Sequence, residues 1–489
     1  MVRFFIALWA SKFAAWVYKL RGQERNDRPG LLACKICPDF LARINKPGLV
    51  IAITGTNGKT TTSTLVTDKL RDAGYTVSFN DWGANLSAGF CFNLMRAVNI
   101  FNKPRMDASV LEADEKSLAD AMTMIKPDFI LVTNICKDSL RRNGHPEYIF
   151  DCIKRTFENL GDQTTAILNA NDPISSQLTQ GTKTKTVYYG MADMGLNPYE
   201  NIVKDITVCP KCGSFIRYNY RFYRHLGDFY CENPECDFRT PEADFYAESF
   251  DLDNRKVKIR EKGEVTTYPL ISDTVFNVFN VVSAVAVLRS AGQKKEDISD
   301  FLSRQKVTEI RETYKEFNGI RYYAYGTKSQ NVSAASTVFE YMAKEPSAKD
   351  VVFCLDEAQD KNHPTETLTW LYETDYEALN SPNIKKIIVG GHMYLNHKLR
   401  LLLAGIPEEK IVAVEDDSLV PQYVDTEGIE RVYVLYEIDF VTKGKTWRDN
   451  IYKRALELAG ETEAAAHVGH ASTFEGDKVN ESLLSKSQV

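Results

Sequence analysis

The sequence has no apolar run of the ~18–20 residues that a bilayer-spanning helix needs. It has no excess of positive charge: 60 basic against 66 acidic side chains give a formal net charge of −6, which excludes a strongly basic nucleic-acid binder by composition. Ten cysteines in 489 residues are too few for a disulfide scaffold. Long repeats and low-complexity blocks are also missing. What is present is an ordinary globular mixture, 44% hydrophobic and 26% charged, in a chain long enough for about three domains at ~150 residues each.

The first twenty residues carry most of the ambiguity. Residues 4–18 are mostly apolar, but Lys12 interrupts them, and Arg3, Lys19 and Arg21 flank them. A cleaved signal peptide needs an unbroken apolar stretch and a small-residue cleavage site, and neither is here. Phe5, Leu8, Trp9, Phe13, Trp16 and Leu20 recur at helical spacing. Such a helix either packs on the body of the protein or rests on a membrane surface. The expected location is the cytoplasm, with the inner face of the membrane as the second element of that expectation.

Further along, short β-branched runs alternate with helical stretches. Leu49–Thr54, Tyr75–Asn80, Ala108–Glu112, Phe129–Thr133 and Thr165–Asn169 read as strands of a mainly parallel sheet. A cysteine- and aromatic-rich patch interrupts this texture, and a helix is expected over about Val278–Ala291. A second α/β unit has strands at Val351–Leu355, Lys386–Val389 and Arg431–Tyr436. The expected organisation is an N-terminal helical segment (1–48), an α/β ATPase domain (49–305) with an inserted ribbon (205–240), a C-terminal α/β domain (310–460) and a polar tail (461–489).

The strongest motif is Gly55-Thr56-Asn57-Gly58-Lys59-Thr60-Thr61, between a strand and a helix. Glycines let backbone N–H groups face phosphate oxygens, and the helix N-terminus adds partial positive charge. Lys59 then reaches the β- and γ-phosphates, and the Thr60 hydroxyl is a Mg²⁺ ligand. The loop is two residues shorter than the general phosphate-loop form. ATP is the expected nucleotide.

The second motif is Cys209-x₂-Cys212, eighteen residues, then Cys231-x₄-Cys236. Four thiolates so spaced suit one tetrahedral structural Zn²⁺. Phe215, Tyr218, Tyr220, Phe222, Tyr223, Phe229 and Tyr230 crowd the insert, yet residues 205–240 hold five basic and five acidic residues. That balance gives no field to attract a phosphate backbone, so no nucleic acid is expected as partner and the aromatics read as the ribbon's own core. Cys34-x₂-Cys37 lacks a partner pair and reads as incidental, and Cys91, Cys136, Cys152 and Cys354 read as small apolar residues.

The loop ITGTNGKTTTS resembles the ATP loop of the Mur ligases and folylpolyglutamate synthases. A Mur-type ATPase domain interrupted by a four-cysteine ribbon is similar to the MurT branch, the synthetase subunits of the lipid II isoglutaminyl synthases. RPGLLACKI, NDWGANLSAG, LEADEKSL, LNANDP, YYGM and FNVFNVVSA all have counterparts in that family. The resemblance implies that Glu112 ligates Mg²⁺, that Asn277 and Asn280 lie near the nucleotide, and that Arg311 contacts phosphate.

It also implies an activity. A carboxylate, the α-carboxyl of D-glutamate in the lipid II stem peptide, attacks the γ-phosphate of ATP to give an acyl phosphate. Ammonia from a GatD-like glutaminase subunit, bound as a heterodimer, displaces phosphate to give D-isoglutamine in peptidoglycan synthesis. In that branch an Asp of the C-terminal domain completes the glutaminase's Cys-His pair. Here Thr367 stands at that position, with Asp360 and Glu366 as nearby carboxylates. The alternative is a Mur-type ligase that joins an amino acid or other amine to a carboxylate without a glutaminase. His145, His363 and His392 show no catalytic pattern.

Overall fold

The computed structural model describes the chain except for residues 24–26, 81–82, 139–143, 196–199, 273, 306–311, 328–330, 356–367, 438–439, 467 and 469–489. Arg311, Asp360, Glu366 and Thr367, with His363, fall outside the described residues. The chain forms two compact units. The first comprises Met1–Lys137, Arg142–Glu200 and Lys204–Val307; the second runs from Thr308 onward and includes Asp138–Arg141 and Asn201–Val203.

The first unit is organised around a nine-stranded sheet of order β11-β10-β9-β6-β5-β4-β1-β3-β2. Its strands are β1 (Leu49–Thr54), β2 (Val77–Phe79), β3 (Ala108–Glu112), β4 (Phe129–Val132), β5 (Thr165–Asn169), β6 (Lys185–Met191), β9 (Phe245–Asp251), β10 (Lys256–Glu261) and β11 (Glu264–Pro269). The ribbon supplies β7 (Ile216–Tyr223) and β8 (Leu226–Cys231) as a separate antiparallel pair. Strands β1 to β6 pair in parallel. The central LVIAIT, ASVLE and FILV runs are buried on both faces, as a helix-covered parallel sheet requires.

One face of this sheet is covered by the helices Lys59–Asp72, Val275–Ser290 and Lys295–Arg304. On the other lie Val2–Leu20, Arg28–Ile36, Ser87–Ala97, Leu118–Ile125 and Pro146–Leu160. The N-terminal helices thus share a core with the sheet: Phe4, Ala7, Leu8, Ala33 and Phe40 are buried with Phe90, Leu94 and Leu118. The helix Val275–Ser290 is sheathed almost all round, which explains its nearly continuous apolar sequence.

The sheet extends further than the sequence pattern indicates. After the ribbon the chain re-enters with β9 parallel to β6 and then turns back twice, so that β9, β10 and β11 form an antiparallel meander. Residues 256–259 alternate exposed and buried along β10, the mark of a strand with one solvated face.

The second unit has its own six-stranded sheet, of order β12-β13-β17-β14-β15-β16. The strands are β12 (Glu312–Phe317), β13 (Ile320–Thr327), β14 (Lys349–Cys354), β15 (Ile384–Val389), β16 (Ile411–Ala413) and β17 (Arg431–Glu437). All pairs are parallel except the β12–β13 hairpin at one edge. Val352, Val434, Ile388 and Trp447 pack on one face. Elsewhere in the unit a buried cluster joins Phe339, Phe353, Tyr376 and His397, in which Tyr376 Oη lies 2.9 Å from His397 Nδ1.

Candidate nucleotide site and metal cluster

The phosphate-type loop sits between β1 and the helix Lys59–Asp72. Gly55 and Gly58 have φ of 120° and 87°, the left-handed region that favours glycine. Neither tolerates a side chain in any case. A Cβ on Gly55 would lie 2.3 Å from Thr133 Oγ1, and one on Gly58 would lie 2.3 Å from Asn280 Oδ1. The first N–H groups of the helix that follows have no intrahelical acceptor, so they are donors for an anion.

Loop shape is fixed from the end of β4. Asn134 Oδ1 accepts from Asn57 N at 3.1 Å, and Asn134 Nδ2 donates back to Asn57 O at 3.1 Å. Thr56 N donates to Asn134 O at 2.8 Å, and Thr56 Oγ1 accepts from Cys136 N at 3.0 Å. Asn134 is not among the residues singled out from sequence. Its signal was only its position just after a buried strand that neighbours β1.

Lys59 Nζ donates to the Gly55 carbonyl, to Thr56 O at 3.4 Å and to Glu115 Oε1 at 2.7 Å. Glu115 is almost fully buried, and burial pushes its carboxyl pKa up while Lys59 pulls it down. Sequence reasoning missed this carboxylate, three residues beyond Glu112. Thr60 Oγ1 donates to Glu112 Oε1 at 3.1 Å. Asn80 orients the Glu112 backbone: Glu112 N donates to Asn80 Oδ1 at 2.9 Å, and Asn80 Nδ2 donates to Glu112 O at 2.8 Å.

Asn280 borders the loop, with Thr62 Oγ1 donating to its Oδ1 at 3.4 Å. Asn277 Nδ2 instead donates to Thr274 Oγ1 at 2.9 Å, at the start of its helix. Thr61 lies in the first turn of the Lys59 helix, half-buried. His145 caps the helix Pro146–Leu160 by accepting from Glu147 N at 3.3 Å, a structural role.

In the ribbon, the Sγ atoms of Cys209, Cys212, Cys231 and Cys236 lie within 4.8 Å of one another. Cys212 and Cys231 are 3.3 Å apart, and Cys209 and Cys236 are 3.7 Å apart. Four sulfurs ~2.3 Å from one tetrahedral Zn²⁺ would be separated by about 3.8 Å, so the set fits the ion. The expectation that all the aromatics form the ribbon core needs correction. That core is Cys209, Ile216, Phe229, Cys231 and Phe238. Phe222 and Tyr223, at the other end of the hairpin, belong to the core of the ATPase sheet, where Phe222 meets Phe279 edge-on and Tyr223 meets Phe276. Cys34, read as incidental, has its Sγ 3.1 Å from that of Cys91.

The hairpin turn carries a buried charge cluster that sequence patterns did not reveal. Arg224 Nε donates to Asp205 Oδ2 at 2.8 Å; His225 Nδ1 lies 2.9 Å from Asp205 Oδ2, and its Nε2 lies 3.2 Å from Asp172 Oδ1. Asp172 accepts from Ile135 N at 2.9 Å, and Asp205 accepts from Lys137 N at 3.0 Å. The ribbon is thereby tied to the 134–137 segment that shapes the phosphate loop. Burial alone would lower the His225 pKa, but the hydrogen bonds to Asp172 and Asp205 override it and push it up to about 9.

A group whose folded pKa exceeds its unfolded ~6.5 stabilises fully below that value, and its contribution is lost as pH rises through the folded pKa. Thermal unfolding should therefore show stability falling by about 3 kcal/mol between pH 6.5 and 9, at ~1.4 kcal/mol per pKa unit. The expected result for His225→Gln is a flat profile over that window; an unchanged slope would discard the assignment.

Comparisons with known proteins agree with this architecture. A family model described as Mur ligase middle domain matches residues 53–221, and one described as MurT ligase C-terminal matches residues 329–437. The chain is 27% identical to the lipid II isoglutaminyl synthase (glutamine-hydrolysing) subunit MurT of Staphylococcus aureus over 448 residues, 87% of this chain and 94% of that protein. With the MurT subunit of Streptococcus pneumoniae it shares 24% over 417 residues, 83% and 88% of the two chains. The structure of a pseudomurein peptide ligase type C from Methanothermus fervidus superposes with a TM-score of 0.61 at 20% identity, covering 85% of this chain and 81% of that one. MurF ligase from Thermotoga maritima gives 0.52 at 15% identity, covering 87% and 85%. These two likenesses show the fold. The chain therefore combines a Mur ligase middle domain with a MurT ligase C-terminal domain on a Mur ligase-like α/β fold.

Proposed function

We propose that the chain is the synthetase subunit that amidates the D-glutamate α-carboxyl of the lipid II stem peptide to D-isoglutamine at the expense of ATP, in peptidoglycan synthesis. The observation that carries this reading is the meeting of Lys59 and Thr60, at the loop–helix junction, with Glu112 at the end of β3, in a chain with a MurT-type C-terminal domain. The substrate carboxylate attacks the γ-phosphorus, ADP leaves, and an acyl phosphate forms. Ammonia attacks the acyl carbon, phosphate departs, and the nitrogen loses a proton.

Within that scheme each residue has a defined task. Backbone N–H groups of Gly58 to Thr61 hold the phosphates. Lys59 exchanges its loop carbonyls for phosphate oxygens and keeps Glu115 as counter-ion. Asn280 borders the nucleotide. Thr60 and Glu112 would hold Mg²⁺, which supplies positive charge beside the transferring phosphoryl group. The four cysteines would hold a structural Zn²⁺. Arg311 adds a phosphate contact, and Asp360 or Glu366 supplies the carboxylate for a GatD-like glutaminase partner. A cytoplasmic location, with the first helix against the inner face of the membrane, belongs to the same reading.

The test is reconstitution: purified chain with lipid II, ATP and Mg²⁺, supplied with ammonium or with glutamine plus a co-purifying glutaminase. Isoglutamine formed from ammonium alone and from glutamine only with the partner is the expected result. Nucleotide turnover driven by a free amino acid without a partner would replace this reading with that of an amino-acid-adding ligase. In the same assay Glu112→Gln should lower turnover by about 10²-fold and raise the Mg²⁺ needed for half-maximal rate. An unaltered Mg²⁺ response would remove Glu112 from the metal site.

A further inference from the structure

The helix Val2–Leu20 carries two apolar stripes. Phe4, Ala7 and Leu8 are buried in the core of the first unit. The second stripe runs Val2, Ile6, Trp9, Phe13, Trp16 and Leu20, spaced by alternating fours and threes, and all six side chains are between 50% and 76% exposed. At 1.5 Å per residue it is roughly 27 Å long. Packing against the sheet therefore explains one face of the helix and leaves the larger aromatic face open.

A second element extends the stripe. The Val98–Pro104 bridge closes a tight turn in which Asn99 Oδ1 accepts from Phe101 N at 2.9 Å and from Lys103 N at 3.0 Å. Ile100 and Phe101 project from its tip, 52% and 66% exposed. Trp9 Nε1 donates to Ile100 O at 2.8 Å, which joins the two elements, and Lys12 Nζ donates to Met95 O and Val98 O, both at 2.7 Å. The patch is thus held in shape by hydrogen bonds before anything covers it.

Charge selects the occupant. Residues 1–46 contain nine basic and three acidic side chains, and residues 96–105 contain three basic and none acidic, in a chain whose net charge is −6. Asp39 is engaged by Arg43 at 2.6 Å. Arg3, Lys19, Arg21, Lys103 and Arg105 are exposed around the aromatic stripe. Trp and Phe on an exposed helix face, rimmed by Lys and Arg, match the interface of an anionic bilayer. A second copy of this chain would instead set like charges against each other.

We infer that the first helix and the Ile100–Phe101 turn form one docking face for a lipid bilayer bearing anionic headgroups. This deepens the membrane contact of the reading above and rests on it only for its purpose, which is to bring a lipid-linked acceptor to the chain.

Flotation of the full-length chain on a density gradient tests it, with vesicles of phosphatidylcholine containing phosphatidylglycerol and vesicles of phosphatidylcholine alone. The chain should float with the anionic vesicles and about tenfold less with the neutral ones or in high salt. Phe13→Glu and Phe101→Glu, on the two separate elements, should each lower flotation by about tenfold with an unchanged melting temperature. A chain that stays at the bottom with anionic vesicles overturns the inference. So does unchanged flotation of both variants, or self-association that Phe13→Glu abolishes without any flotation. ATP binding is measured on the same preparations without vesicles. Its loss with flotation intact sinks the ligase reading alone, and the converse sinks the docking face alone.

Discussion

Replacing Lys59 by alanine should lower ATP-dependent turnover by about 10²–10³-fold and should also destabilise the fold. The first effect follows from the proposed mechanism, in which Lys59, at the entry to the helix, would place its charge beside the transferring phosphoryl group; removal of one such preorganised donor costs about 10²–10³ in rate. The second follows from Glu115. Its carboxylate is almost completely buried and has Lys59 Nζ at 2.7 Å. Truncating one member of a buried ion pair leaves the other charge uncompensated, at about 3–5 kcal/mol. The two effects separate in a double variant. Lys59→Ala with Glu115→Gln should recover most of the lost stability in denaturant unfolding while turnover stays as low as in the single variant. If the single variant is as stable as the parent, Glu115 is satisfied by other means and its role as counter-ion falls. If the single variant keeps full turnover, the loop is not the phosphate site.

The contrast between Lys59 and Glu115 shows where sequence reading reaches and where it stops. Strand, glycine loop and helix are contiguous from Leu49 to Asp72, so the phosphate loop was legible from local order alone. The cysteine cluster was legible for the same reason, because thiolate spacing within two short knuckles is itself the constraint. Glu115 reads as a solvated acid just past a strand end. Only the parallel pairing of β1 with β3 carries Glu112 and the chain beyond it to the loop and buries Glu115 there. Asp172, Asp205 and the Arg224–His225 pair come from three segments up to 53 residues apart, and no local pattern announces their meeting. The aromatics of the insert misled because composition does not tell which end of a hairpin faces which core. Ile216 and Phe229 close over the sulfurs, whereas Phe222 and Tyr223 plug the ATPase sheet. The β9–β11 meander went unread because the insert interrupts the strand–helix rhythm and because β9 itself alternates poorly.

That division of the hairpin between two cores sets the outcome of the last experiment. Changing Cys231 to serine should cost the purified chain about one equivalent of zinc and should unfold the outer half of the ribbon. The outer core has five buried residues, two of them cysteines, which is far too little apolar surface to order a segment of that length unaided. Metal binding supplies roughly 10–16 kcal/mol in comparable thiolate sites, so its loss exceeds any other contribution there. The inner half is anchored differently. Arg224 and His225 are fixed by Asp205 and Asp172, and Phe222 and Tyr223 by Phe279 and Phe276. Hydrogen exchange of Cys231→Ser should therefore show full exposure around 209–218 and 229–238 with protection retained around 222–226. Chelation of the parent protein should reproduce the pattern. Protection lost throughout 205–240 would mean that the metal also holds the inner turn, and with it the 134–137 segment against the phosphate loop, so ATP affinity would fall in parallel. A metal-free parent with an ordered outer ribbon would refute the zinc assignment outright.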